Sequence, residues 1–308
     1  MLLERIYRHK KTLLKLVLEN FKSQNLQPKI GVELEFYLLY NSQPASPKLI
    51  HEFTLDLQST ILKHNIDLLA IEPEQGCGQI EIKTLPYLDI PKLCADIEKI
   101  KDLTRNLNPN FQVNFASQPY QNDCGNSLQI NFSLMQGDNF LFAKDDQQES
   151  QYLLQAINGT LKFTKDMMII CAPEPEDYLR FDLKLNRNLH KQQKYTAPVN
   201  ISWGYNNRTT LVRIPATQKI TERRLEFRAP ANSADLYLIS AFFLLAVLRG
   251  IKLPEKFPGK IPGEVYGNSF DEQYDLENLP NYEQAKEYFW QGNLANEILF
   301  ILDSNRLD

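Results

Sequence analysis

The sequence predicts an α+β domain: a curved, mainly antiparallel sheet with charged residues on its concave face and helices over its outer face. Three observations lead there. In RRLEFR (223–228) charge alternates with apolar side chains, so on a strand Arg224, Glu226 and Arg228 share one face, and Leu225 and Phe227 take the other. GVELEF (31–36) alternates in the same way, with Glu33 and Glu35 opposed to Val32, Leu34 and Phe36. The most apolar run, 236–248, is too short to span a bilayer and is bracketed by Asp235 and Arg249, so it reads as a helix buried under the sheet.

With 308 residues, 43% of them hydrophobic, the chain can bury one large core. A single domain over 1–308 is expected, with an N-terminal helix within 1–27 and a C-terminal extension, 253–308, packed on the body. A formal net charge of -4 argues against nucleic acid or an anionic membrane as the main partner. Cys77, Cys94, Cys124 and Cys171 are scattered and form no C-x-x-C pair, which points to neither a zinc ribbon nor a disulfide framework. A reducing cytoplasm is the simpler expectation, and the charge-broken N-terminus is unlike a secretory signal.

Taken in order, apolar residues recur at helical spacing over 2–21, and Gln27-Pro28 closes that helix. The strand at 30–40 carries Glu33 and Glu35 side by side, an arrangement that water tolerates on a surface but that a cavity tolerates only with cations. A helix at 52–65 precedes strands at 67–71 and 79–84. The glycines of the joining EQGCG, Gly76 and Gly78, permit a tight turn that brings Glu74 and Glu81 towards one point; a hairpin with solvated glutamates would look the same. A helix at 90–107 and strands at 111–116 and 127–134 follow, the last with Gln129 and Asn131 on one face. A long helix at 148–170 stops at CAPEP (171–175), and 182–196 is polar and basic. Beyond the buried helix, 235–251, come a proline-rich basic loop at 254–262, an acidic stretch, and helices beginning near 279 and spanning 293–302.

The runs 197–215 and 223–228 crowd Arg208, Arg213, Arg223, Arg224 and Arg228 around a single carboxylate, Glu226. Arginine forks suit phosphate and carboxylate, so this charge calls for an anionic ligand; a salt-bridge ladder on a solvated face is the alternative.

GVELEF, EQGCGQIE (74–81), GNSLQINFSL (125–134), APVNISWGYNNRTTLVRIP (197–215) and RRLEFRAP (223–230) resemble, in order, the five signature segments of the glutamine synthetase catalytic domain. The resemblance covers roughly two thirds of the chain and implies that catalytic fold, with ATP and two Mg2+ or Mn2+ sites. Residue by residue, it implies that Glu35, Glu74 and Glu81 hold one cation, and that Glu33, Glu226 and Gln129 hold a weaker second one. It gives Arg208 and Arg213 to the transferred phosphate, Arg224 (with Arg213) to the nucleotide, and Arg228, Gly125 and His190 to the carboxylate substrate. Arg208 and Arg213 are an odd number of residues apart, so a bulge or a loop position is required for Arg208.

The implied reaction activates a glutamate-like carboxylate as an acyl phosphate and passes it to an amine. Four places depart from the family pattern: Gln129 and Asn131 stand where histidines are usual, Cys124 where asparagine is, and Thr196 where a glutamate binds ammonium. A relative that keeps the fold and binds nucleotide, metal or a protein partner without turnover is therefore the competing reading. Only about thirty residues precede GVELEF, where the family carries a small β-rich domain that bridges subunits. A monomer or small homo-oligomer, rather than a dodecameric ring, is expected on that ground.

Overall fold

The computed structural model describes residues 2–143, 149–253, 260–261 and 268–307. Helices α1 (Leu2–Arg8) and α2 (Lys10–Ser23) lead into β1 (Gln27–Tyr40). Next come β2 (Gln43–Pro44), α3 (Pro47–Leu62), β3 (Leu68–Pro73), β4 (Gln79–Thr84), α4 (Ile90–Asn106), β5 (Phe111–Asn114), β6 (Leu128–Gln136) and β7 (Asn139–Phe140). After these lie α5 (Gln151–Lys162), α6 (Thr164–Cys171), α7 (Leu183–Lys191), β8 (Trp203–Tyr205), β9 (Val212–Ile214) and β10 (Leu225–Phe227). The chain ends with α8 (Leu236–Ile251), β11 (Lys260–Ile261), α9 (Tyr282–Gln291) and α10 (Asn293–Ser304).

β1 organises the sheet, whose order is β11-β8-β9-β10-β6-β1-β4-β3. It pairs with β6 from Gln27 to Leu34, with β4 from Glu33 to Tyr37 and with β5 from Tyr37 to Tyr40. Every named pairing is antiparallel except β8 with β9 and β8 with β11, so the sheet is mainly antiparallel, as expected.

The outer face is apolar. Val32, Leu34, Phe36, Ile80, Ile82, Ile130, Phe132 and Phe227 are all buried in one core with α8. Phe243 of α8 stacks on Phe227 at 5.5 Å between ring centroids and meets Phe132 edge-on at 5.3 Å, which fixes β10 and β6 from behind. Burial of each such ring is worth roughly 1.5–3 kcal/mol. Every residue from Leu236 to Leu248 is buried, and Asp235 caps this helix by accepting from the Leu238 N–H at 3.2 Å.

Several elements differ from the sequence expectation. The helix expected at 52–65 starts earlier, at Pro47, because the Ser46 side chain caps it and proline suits its first turn. The helix at 2–21 is divided at His9, and the one at 148–170 is divided at Phe163. In the second case Thr160 and Thr164 donate their hydroxyls back to Ala156 O at 2.8 Å and Thr160 O at 2.7 Å, a local competition that bends helices. Of the proline-rich stretch 254–262, only 260–261 is among the described residues, and there the backbone adds a short strand beside β8.

Candidate functional site

Cross-strand register arranges the inward side chains in rows. Glu72, Glu81 and Glu35 lie abreast on β3, β4 and β1; Lys83, Glu33 and Gln129 lie abreast on β4, β1 and β6; Asn131, Glu226 and Arg213 lie abreast on β6, β10 and β9. Facing carboxylates on neighbouring strands repel, so each must find a proton, a cation or a donor. Glu35 accepts the Ser127 N–H at 2.7 Å and Gln129 Nε2 at 2.8 Å. Glu33 accepts Asn131 Nδ2 at 3.0 Å, and Lys83 Nζ sits 2.8 Å from Glu81 and also pairs with Glu72. Glu226 is held by Arg213 Nη1 at 2.9 Å on one oxygen and by Arg228 Nε at 3.1 Å on the other.

The electrostatic result divides the carboxylates. Burial, then the charges of Glu226 and Glu81, pushes Glu33 up to about 8. Burial and the neighbouring Glu35 push Glu74 and Glu81 up to about 7, and burial also raises Glu35. Glu226 goes the other way: burial works against its charge, but Arg213, Arg228, Arg208 and Arg224 outweigh it and hold it below the usual range.

Two cavities open on this face, one after the other along the strands. The smaller, about 30 Å³, includes Glu35, Glu74, Gln129, Thr196 and Arg208 in its lining. The larger, about 500 Å³, has Glu33, Lys83, Asn131 and Arg224 at its charged end and Val32, Leu69, Leu85 and Pro86 among its apolar walls. Glu33 and Glu35 are two residues apart, about 7 Å along a strand, so the two cavities lie side by side along β1.

Most residues singled out from sequence are brought to these cavities. Glu74 is carried to the smaller one by the tight turn after β3, where Gly78 has φ +88° and a Cβ at Gly76 would fall 2.0 Å from the Tyr37 hydroxyl. Gly125 also lines it, and a Cβ there would lie 2.7 Å from Ser117 O. Arg208 lies in the turn between β8 and β9, as the odd spacing required, and its guanidinium stacks 3.8 Å from the Tyr195 ring. Arg224 donates Nε to Asn131 Oδ1 at 2.7 Å in the larger cavity. Arg228 lines the smaller cavity, yet its fork already donates to Arg208 O at 2.5 Å, Thr210 O at 3.2 Å and Thr196 O at 3.0 Å. His190 is not brought there: its ring packs edge-on to Phe270 at 5.8 Å and lines a separate surface groove with Arg187 and Lys191.

Two functional candidates went unread in the sequence. Arg180, 2% exposed, lines the smaller cavity, with one nitrogen donating to Arg228 O and Pro230 O and its Nε unpartnered. Burial lowers it to about 10, against the pull of Glu35 and Asp177. Lys83 was legible, since the alternation that places Glu81 inward places Lys83 inward too.

Among the described residues no three His, Cys, Asp or Glu side chains already stand around one point as a metal cage. The first expected set nonetheless suits a hard divalent ion in chemistry: Glu35 and Glu74 line one cavity, Glu81 faces Glu35 across the β1–β4 pair, and their crowding disfavours charge without a cation. The second set suits it less well, because Glu226 lies between two fixed guanidinium groups, hydrogen-bonded to Arg213 through one oxygen and 3.1 Å from Arg228 Nε with the other, and the Gln129 amide is turned to Glu35. Among the described residues no helix is long and apolar enough to cross a membrane.

Comparison with known proteins bears on this arrangement. A family model described as "Glutamine synthetase, catalytic domain" matches residues 42–301. The chain is 26% identical over 262 residues to gamma-glutamylputrescine synthetase PuuA of Escherichia coli, covering 76% of this chain and 53% of that one. It is 29% identical over 257 residues to glutamine synthetase of Thermococcus kodakarensis, covering 78% and 55%. The chain thus spans about half the length of the curated relatives it matches. A solved structure described as a GmaS/ADP complex shares the fold with a TM-score of 0.79 at 21% identity, over 94% of this chain and 70% of that one. β1, with Glu33 and Glu35, precedes the matched residues and is tied to them by its pairing with β4 and β6. By the match over 42–301 this chain belongs to the family of the glutamine synthetase catalytic domain.

Proposed function

We propose that the chain is an ATP-dependent ligase that activates a glutamate-like carboxylate as an acyl phosphate and transfers it to an amine. The observation that carries this reading is the pair of neighbouring cavities on one sheet face, with Glu35 lining the one that is small, polar and rich in arginine and Glu33, two residues away on β1, lining the one roomy enough for a nucleotide. Phosphoryl transfer needs positioning and charge neutralisation more than covalent chemistry by the protein. A magnesium or manganese ion at Glu35, Glu74 and Glu81 would supply part of that neutralisation.

The chain's own residues supply the rest. Arg224 would meet the nucleotide in the larger cavity. Arg208 and Arg213 would face the charge that develops on the transferred phosphate, while Arg180 and Arg228 give the smaller cavity its preference for a carboxylate. Thr196, buried in that cavity, has no charge with which to hold ammonium or remove its proton. A larger primary amine is therefore the better acceptor, in keeping with a relative named for gamma-glutamylputrescine.

One observation favours a second reading, a nucleotide-binding relative without turnover. Asn131 bridges Glu33 and Arg224 and stays neutral at every pH, so it offers no cationic hydrogen bond at the junction of the cavities. A phosphate-release assay with ATP, manganese and glutamate, comparing ammonium, hydroxylamine and aliphatic diamines, separates the two. Diamine-dependent release supports the ligase; a thermal shift with ATP and manganese but no release with any amine supports the second reading, and neither response sinks both.

A further inference from the structure

We propose that this chain carries a single divalent cation, and that Lys83 supplies, as a built-in ammonium, the charge that a second cation would bring to the nucleotide's phosphates. The inference rests on the ligase and first-metal reading above and concerns which residues that site uses.

The residues expected to hold a second ion are already opposed by fixed cations or turned to other partners, although Glu226 Oε1, 3.1 Å from Arg228 Nε, accepts no hydrogen bond. Glu226, 1% exposed, faces Arg213 and Arg228 with its two oxygens. A buried carboxylate between two fixed guanidinium groups has little to offer a divalent ion, whose binding would force those cations apart. Gln129 presents its amide nitrogen, not its carbonyl, to Glu35 at 2.8 Å. Glu33 accepts from Asn131, and the residue directly across the strand pair from it is Lys83.

Lys83 meets the requirements of a replacement cation. It points to the same face as Glu81 and lines the larger cavity near Glu33. Its Nζ lies 2.8 Å from Glu81 and also pairs with Glu72, so it is fixed among carboxylates rather than swinging in solvent. An ammonium group has three donors; two directions are used by Glu81 and Glu72, and the third is left for a phosphate oxygen. A lysine carries one positive charge where a divalent ion carries two, and Arg224, which lines the same cavity, brings a second positive charge to it.

The test counts manganese on the full-length chain, without nucleotide, by the loss of the free-ion signal in electron paramagnetic resonance. One ion per chain is expected for the wild type. In Lys83→Gln, the uncompensated Glu72, Glu81 and Glu33 should admit a second ion, seen as a rise from one to two and as spin coupling between neighbouring ions, while Lys83→Arg should remain at one. Binding of a non-hydrolysable ATP analogue at saturating magnesium should weaken roughly tenfold in Lys83→Gln, the scale of one charge-assisted hydrogen bond. Two ions on the wild type overturn the proposal and leave the ligase reading standing; no ion on the wild type removes the reading and the proposal together. A folded Lys83→Gln that still takes one ion also overturns it, and should that variant fail to fold, the wild-type count decides.

Discussion

The two cavities are built from neighbouring residues of the same strands, yet they are opposite in kind. The smaller is walled by side chains that are almost fully buried and already bonded: Arg228 to three carbonyls and Glu226, Glu35 to two N–H donors, Arg180 to the backbone of 228–230. The larger is bounded by more open apolar residues, Leu69 at 65% and Leu85 at 40% exposure, beside the charged Glu33, Lys83 and Arg224. A site whose donors are fixed in advance pays little to reorganise and so selects a small charged ligand closely. A roomy apolar cleft holds a bulky ligand by area and leaves the charged end to orient it.

The contrast is broken most severely at Arg228. Its replacement by Met keeps the volume but leaves Glu226 buried beside fewer cations and three carbonyls without their donor. Urea unfolding should show a loss of about 3–5 kcal/mol, the range for removing one partner of a buried pair. A loss under about 1 kcal/mol would mean that the smaller cavity is not the rigid half.

The metal-free protein should also become less stable as pH rises. Glu33, at about 8, and Glu74 and Glu81, at about 7, bind their protons more tightly folded than unfolded. Their contribution is fully present below an unfolded carboxyl pKa of about 4.5 and is lost as pH climbs through 7 to 8. The melting temperature in chelator should therefore fall by several degrees between pH 5 and pH 8, and manganese should restore more of it at pH 8 than at pH 5. An equal metal effect at both would place the ion away from these carboxylates.

In the larger cavity, Arg224→Ala should change stability by no more than about 1 kcal/mol, since the residue is half-buried and bonded mainly to Asn131. Affinity for ATP should drop roughly tenfold in calorimetry, the scale of one charge-assisted hydrogen bond. A stability loss as large as that of Arg228→Met would erase the difference between the cavities. The smallest effect is expected at Thr196→Glu, which should raise the use of ammonium by a few-fold to about tenfold by supplying an anionic group; steady-state kinetics with ammonium and a diamine would show whether preference moves.

Periodicity made much of this site legible. Alternation in GVELEF and RRLEFR put Glu33, Glu35, Glu226 and Arg228 on one face; the register of β1, β4, β6 and β10 bears that out for the three glutamates, and Arg228, just past β10, pairs with Glu226. The same rule reaches Lys83 from Glu81. His190 shows where local rules stop. On α7 the buried residues are Asn186 and Leu189, and a residue one step on is turned about 100° around the helix, which sends His190 to Phe270 instead of to the cavity. Arg180 takes the place beside Arg228, from a 3-10 segment, Pro175–Phe181, whose packing under the end of β10 leaves no periodic trace in the chain.

By itself the sequence determined which side chains face inward on each strand, where the apolar helix lies and which family the motifs resemble, because these follow from periodicities within a few residues. Tertiary structure alone decided which charges meet. Glu226 and Arg228 are two residues apart, but Lys83 with Glu72, Arg213 with Glu226, and Arg180 with the carbonyls of 228–230 are joined by strand pairing and loop packing over 11 to 50 residues of chain. Those encounters set which carboxylates keep their protons and which are already neutralised, because Coulomb interaction depends on distance and burial in space and not on separation along the chain.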